Sequence, residues 1–312
     1  MATTHFLPKD KLHFLWDTSH EPALRIKSGD TVVLETAEIT DDQIEFSSKT
    51  EVIDKLDWDR MYPLSGPIYV EGAEPGDTLA VEILDLQTRG WGWAGVVPGL
   101  GLLADDFDET LLRTFDLSDG KYVHFRDDIK IPIEPFMGTM GVCPKDAKEQ
   151  NAIKPGVFGG NIDTRQLTKG TTLYLPIEEK GALFSCGDGH AAQGDGEVCG
   201  TGIEAPLYAS LRFTLIKGQS IPAPQYKTSG GLTPLVKDSN FYGTTGVGED
   251  LYKAAQDAIR AMVDYISKTY DMPKIEAYVL CSLCVDLKIS EIVNVEQYIV
   301  SALLPLSIFK KE

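Results

Sequence analysis

The sequence predicts an α+β fold that is predominantly β. Sandwich-like or jelly-roll-like sheets are expected through residues 1–225, followed over 226–312 by a smaller α+β part with two helices and a closing strand. Three observations carry this expectation. Turn chemistry followed by an alternating segment recurs through the first 240 residues. Glycine and proline are frequent enough, at 29 and 17, to keep most elements short. Helical periodicity is confined to the end of the chain.

Ser28-Gly29-Asp30-Thr31 leads into Val32-Val33-Leu34-Glu35, and Pro75-Gly76-Asp77-Thr78 leads into Leu79-Ala80-Val81-Glu82-Ile83. Lys169-Gly170-Thr171-Thr172 leads into Leu173-Tyr174-Leu175 in the same way. Glycine supplies the left-handed backbone position and Asp bonds its own backbone, so each reads as a turn feeding a strand. His5 is expected in a loose terminus, and His124 in a strand over 121–125. Gly90 to Leu103 is glycine-rich and aromatic, which reads as a loop packed over something, either a plain surface loop or a lid at a pocket. The first helix is expected over 249–270. Leu251, Ala254, Ala255, Ala258, Ile259, Met262, Val263 and Ile266 share one face, with acidic residues at its start and Pro273 beyond its end. A second helix is expected from Pro273 to Leu287, and a final strand from Val295 to Leu304.

Composition narrows the function classes. Apolar residues make up 43% of the 312, enough for a sizeable core. A net charge of −18 disfavours binding to phosphate backbones, so no nucleic-acid partner is expected. No run reaches the roughly 18 apolar residues of a membrane span, and Met1 to Asp10 lacks the apolar stretch of a secretory signal. Five cysteines without a dense framework suit a reduced, cytoplasmic protein, with Cys281 and Cys284 as core residues of a helix. Apolar edges and the C-terminal strand suggest a homo-oligomer.

One stretch concentrates chemistry. Between the apolar segments at Phe184 and Ile203 lie Asp188, His190, Gln193, Asp195 and Glu197 on a glycine-rich backbone. Asp188 and His190, if extended, share a face. An imidazole beside carboxylates is a donor set for a divalent cation. The alternative is a wide hairpin whose polar residues satisfy their own backbone. The stretch lacks the spacing of a calcium EF-hand and the Gly-Lys-Ser/Thr of a phosphate loop. A second cluster, Gly159-Gly160-Asn161-Ile162-Asp163, places Asn161 and Asp163 two apart, either aimed at the same site or forming an Asx-type turn. Asp17, between His13 and His20, is a further candidate pocket residue.

Taken together, these residues resemble the acetamidase/formamidase family over nearly the whole length. Trp16-Asp17-Thr18-Ser19 with Ser28-Gly29-Asp30 is similar to the family's opening, and the block from Pro63 to Asp77 to its second segment. Pro135-Phe136-Met137-Gly138-Thr139-Met140-Gly141, then Gly160-Asn161-Ile162-Asp163, then the run from Gly187 to Glu197 follow in the family's order. Tyr62 departs from the pattern, since many members carry His before the proline. The resemblance implies hydrolysis of short amides to a carboxylate and ammonia in a metal-associated pocket. On it rest the expected metal ligands Asp163, Asp188 and His190, with Glu204 as an alternative carboxylate. Zinc is the expected ion and calcium the other choice. It also implies Glu197 and His190 as catalytic residues, and Asn161, Gln193, Asp195 and Asp17 as substrate-binding residues for a small amide. Two competitors remain at this point. One is a cysteine-nucleophile amidase using Cys186 or Cys199. The other is a jelly-roll binding protein with Trp91 and Trp93 as platforms.

Overall fold

The computed structural model describes residues 2–230, 240–293 and 297–310. Two six-stranded sheets dominate it. The first runs in the order Thr4–Leu7, Thr31–Glu35, Leu207–Ile216, Thr78–Thr88, Thr172–Pro176 and Gln225–Lys227. Its strands alternate. Leu207, Ala209, Leu211 and Phe213 are buried while Tyr208, Arg212 and Thr214 face outward, as expected for a sheet with one wet face. The predicted turns form as read. Asp30 accepts hydrogen bonds from the Lys27 and Thr3 amides, and Asp77 accepts from Glu74, with Gly29 and Gly76 left-handed beside them.

The second sheet runs Gly159–Asn161, Phe136–Gly141, Phe184–His190, Leu64–Val70 and Leu12–His13, with Leu24–Ile26 also pairing on Leu64–Val70. Phe184 of this sheet meets Phe213 of the first edge-to-face at 5.1 Å, so the inner faces share one apolar core. Every residue of Phe184–His190 and of Phe136–Gly141 is buried. Both faces of these strands are therefore covered, and any polar side chain they carry is held away from bulk water.

Trp91–Val96 is a strand, not the expected loop. It pairs antiparallel with Leu111–Asp116, which satisfies the backbone that had argued for exposure. It joins the second sheet through Glu204, whose N–H donates to the Trp93 carbonyl at 2.7 Å and whose carbonyl accepts from Trp93 at 2.9 Å. His5, expected in a loose terminus, lies in the edge strand Thr4–Leu7 with Nε2 3.0 Å from Asp30.

The first helix spans Leu251–Thr269, capped by the Asp250 carboxylate on the Lys253 amide. The second spans Lys274–Cys284 and stops short of Leu287. Val285 turns extended, and Asp286–Glu291 forms a strand beside Tyr298–Pro305. The periodicity was ambiguous there, because Val285 and Leu287 suit either period. The expected start of the closing strand at Val295 lies outside the described residues. Cys281 and Cys284 are buried in the second helix, in the same core that both sheets share. Among the described residues no helix is long and apolar enough to cross a membrane.

Candidate active site

The strand Phe184–His190 and its neighbours bring four carboxylates around one imidazole. His190 Nε2 lies 3.2 Å from Asp188 Oδ1, 3.1 Å from Glu204 Oε2 and 3.7 Å from Glu197 Oε1. Asp163, on the turn after Gly159–Asn161, completes a second group with His190 and Glu197. Phe136 holds the His190 ring edge-to-face at 4.9 Å. Thr139 places its hydroxyl 2.9 Å from Asn161 Oδ1 and 3.3 Å from Asp188 Oδ2.

Local backbone geometry explains how so many acids fit. Asp163, Asp188 and Glu197 all adopt left-handed backbone conformations, with φ of 40°, 56° and 43°. For residues with a side chain this costs energy that the surrounding structure must offset, and such positions gather at functional sites. Gly138 is the enabling neighbour. A Cβ there would stand 2.4 Å from Asp163 Oδ1 and 2.6 Å from Asp188 Oδ2, while its carbonyl accepts the Ile162 and Asp163 amides. Gly138→Ala is expected to push the two carboxylates apart and lower kcat/KM on the order of 10²-fold. Steady-state assays together with the unfolding midpoint check this, because a general folding defect would lower both.

The electrostatics are those of crowded, dehydrated acids. Burial, then the charge of Asp188, pushes the Asp163 carboxyl up to about 7. Burial raises Glu204 to about 7 against the pull of His190, and raises Glu197 well above the usual carboxylate range. Burial alone would lower His190, but the charges of Glu204 and Asp188 outweigh it and hold the imidazole well above its ordinary value. Asp163 Oδ1 is buried without a hydrogen-bond donor, and the His190 ring nitrogen at 3.1 Å is the one donor beside Glu204 Oε2 among the described residues. A buried carboxylate oxygen lacking a donor is costly. Carboxylates crowded around one imidazole are ligand types that could hold a divalent cation.

These residues border a cavity of about 50 Å³. Asn161, Asp163, Asp188, Glu197 and Glu204 form its polar side. Ile39, Trp58, Met61, Tyr62, Trp93, Val97 and Leu100 supply its apolar walls. Several of these walls carried no signal in the sequence. Ile39 and Trp58 are far from any motif, and Tyr62 stood out only as a departure from the family pattern. Glu38, fully buried behind the wall, was also missed. It accepts the Trp93 Nε1–H at 2.7 Å and the Thr40 amide at 2.9 Å, and burial moves its carboxyl up to about 7. With its N–H committed and only 3% of its surface exposed, Trp93 is a wall of this cavity and not an open platform.

Not every candidate residue comes to the cavity. Gln193 lies behind it, donating from Nε2 to the Asp163 carbonyl at 3.0 Å, where it supports the turn that carries Asp163. Asp195 accepts from Gln166 at 2.9 Å and receives no place in the cavity wall. Asp17 closes a surface turn, accepting the Ser19 and Glu149 amides. These are the partners the structure shows for the three, and Gln193 Oε1 stays buried without one. Cys186 is sealed in the core, where burial pushes its thiol up to about 12. Cys199 is also buried and donates to the Gly95 carbonyl at 3.3 Å. Neither thiol borders the cavity.

The profile of the Acetamidase/Formamidase family matches residues 3–152 and 145–311. The chain is 27% identical over 367 residues to a formamidase of Methylophilus methylotrophus, covering 96% of this chain and 90% of that protein. Its fold matches a gamma lactamase from Delftia acidovorans with a TM-score of 0.90 at 25% identity, over 99% of this chain and 94% of the other. It matches an acetamidase from Bacillus halodurans with a TM-score of 0.69 at 33% identity, over 97% of each chain. A family match from one end of the chain to the other, on a fold that gathers the motif residues at one cavity, shows that this protein belongs to the acetamidase/formamidase family of amidohydrolases.

Proposed function

We propose that the protein hydrolyses a formamide-sized or acetamide-sized amide to its carboxylate and ammonia, using a divalent cation at the His190 cluster. The observation that carries this reading is His190 Nε2 set among buried carboxylates, with Asp163 Oδ1 left without a donor. His190, Asp188 and Asp163 would hold the ion. Glu204 joins them, since its oxygen stands as close to Nε2 as that of Asp188 and its side chain is only 5% exposed. The imidazole favours zinc over calcium, which takes oxygen ligands. Bound there, the ion supplies Lewis-acid polarisation of a carbonyl and a lower pKa for water, near 7.

The chain's own residues supply the proton path. Glu197 is farther from Nε2 than Glu204 and more open, with 20% of its side chain exposed. Its place at the cavity suits a base that takes the water proton and delivers it to the departing nitrogen. Asn161 has its Oδ1 occupied by Thr139, which leaves its NH₂ group to orient the amide oxygen. The small cavity supports a substrate of on the order of three or four non-hydrogen atoms. Elemental analysis of the purified protein, paired with ammonia release from formamide and acetamide before and after chelation, tests the reading. Near-stoichiometric zinc and loss of turnover on chelation, restored by added zinc, is the expected result. Full turnover by metal-free protein would overturn it.

A further inference from the structure

Tyr62 sits at the reaction cavity in a conformation that its own chemistry does not favour. It is an aromatic residue with φ of 60°, immediately before Pro63. Steric conflict disfavours left-handed backbone for a bulky side chain, and the following proline restricts the residue further. Its N–H donates to the Ile39 carbonyl at 2.9 Å, which fixes the turn. The side chain is half-buried, and the charges acting on the phenol are those of Asp188, Glu204, Glu197 and Asp163. Among the described residues nothing hydrogen-bonds its hydroxyl, although it borders the same cavity as those four acids. Here strained backbone holds a phenol with no protein partner at the wall of the cavity where an amide would lie.

We propose that the Tyr62 hydroxyl is a catalytic hydrogen-bond donor that stabilises the oxyanion formed as water adds to the amide carbonyl. The inference rests on the amidase reading above. As the water oxygen bonds to the carbonyl carbon, the carbonyl π pair moves onto its oxygen, and Glu197 receives the water proton. Tyr62 donates a hydrogen bond to that oxygen and keeps its own proton throughout, since a phenol titrates near 10 and burial beside acids moves it higher. The pair then returns to re-form the carbonyl while the C–N bond breaks. The nitrogen takes the proton from Glu197 and leaves as ammonia. Most of the other groups lining the cavity are ill suited to this role. Asp163, Asp188, Glu197 and Glu204 are acceptors when ionised, Ile39, Met61, Val97 and Leu100 have no side-chain donor, and Trp93 and Thr201 donate to Glu38 and the Gly95 carbonyl, which leaves Tyr62 with Asn161 and Trp58 as the lining groups whose donors have no protein acceptor among the described residues.

The test compares wild type with Tyr62→Phe and Tyr62→His on formamide and acetamide, with zinc content and unfolding midpoint measured on each protein. Tyr62→Phe is expected to lower kcat by about 10²- to 10³-fold. KM should change little, with metal content and midpoint close to wild type. Tyr62→His, which restores an N–H donor, is expected to recover at least part of the lost kcat. A kcat for Tyr62→Phe within about threefold of wild type would overturn the proposal, about 0.65 kcal/mol at RT ln 3 being too little for a lost oxyanion donor. A loss accompanied by loss of zinc, or an equal loss in both variants with metal intact, would assign Tyr62 a packing role and overturn it as well. Absence of ammonia release by the wild-type protein itself would instead sink the amidase reading.

Discussion

Glu197→Gln is expected to lower kcat by about 10²- to 10⁴-fold while leaving metal content unchanged. Gln keeps the length and shape of the side chain but cannot accept a proton from water. Glu197 stands 3.7 Å from His190 Nε2 at the more open side of the cluster, so its replacement leaves the proposed ligands Asp163, Asp188, Glu204 and His190 in place. The change also removes one negative charge from a crowded set of buried acids. The unfolding midpoint of the metal-free variant should therefore be no lower than that of metal-free wild type. Turnover, elemental analysis and thermal unfolding separate the outcomes. Loss of metal together with activity would make Glu197 a ligand, and retained turnover would move the base elsewhere.

Removing the cation should make stability strongly pH-dependent. Asp163 and Glu204 have ordinary values of 3.8 and 4.5 and lie at about 7 in the folded chain. A carboxyl whose folded pKa is raised binds its proton more tightly when folded than when unfolded. The stability from that proton is fully present below about pH 4 and is lost as pH rises through 7. His190, also raised, acts in the same direction at higher pH. Metal-free protein is thus expected to melt at progressively lower temperature between pH 5 and pH 8. Over the same range the added stability from zinc should grow, because zinc binds the ionised acids and competes with protons for them. Thermal scans of chelated and zinc-loaded protein across this range check both slopes. A metal-free midpoint that rises from pH 5 to pH 8 would contradict the crowded-acid description of the site.

Much of this was legible along the chain, and the failures have a common cause. Turns such as 28–31 and 75–78 announce themselves, because glycine's left-handed freedom and the reach of Asp to its own backbone act within a few residues. The same holds for the first helix and for the glycine-rich run carrying Asp188, His190 and Glu197. Trp91–Val96 misled because its composition suggests a loop, whereas its partner strand at Leu111–Asp116 supplies the hydrogen bonds that make it a strand. Asp17, Gln193 and Asp195 sit in stretches as polar as those around Asp163, and nothing local separates them. Their partners at Glu149, the Asp163 carbonyl and Gln166 hold them outside the cavity wall, and these lie 132, 30 and 29 residues away.

The primary structure alone thus specified the β-rich class, the late helices, the family and the acids flanking His190, since each depends on chemistry that neighbouring residues exchange directly. Folding had to choose which acids converge and what closes the cavity around them. Tyr62, Trp93 and Glu204 come from separate segments: a bridge joins Trp93 to Glu204, and a hydrogen bond from the Tyr62 amide to Ile39 sets Tyr62 at the same cavity. Burial of the acids beside one another, which raises the proton affinity of Asp163, Glu197 and Glu204 and leaves Asp163 Oδ1 without a donor, exists only once the chain has packed.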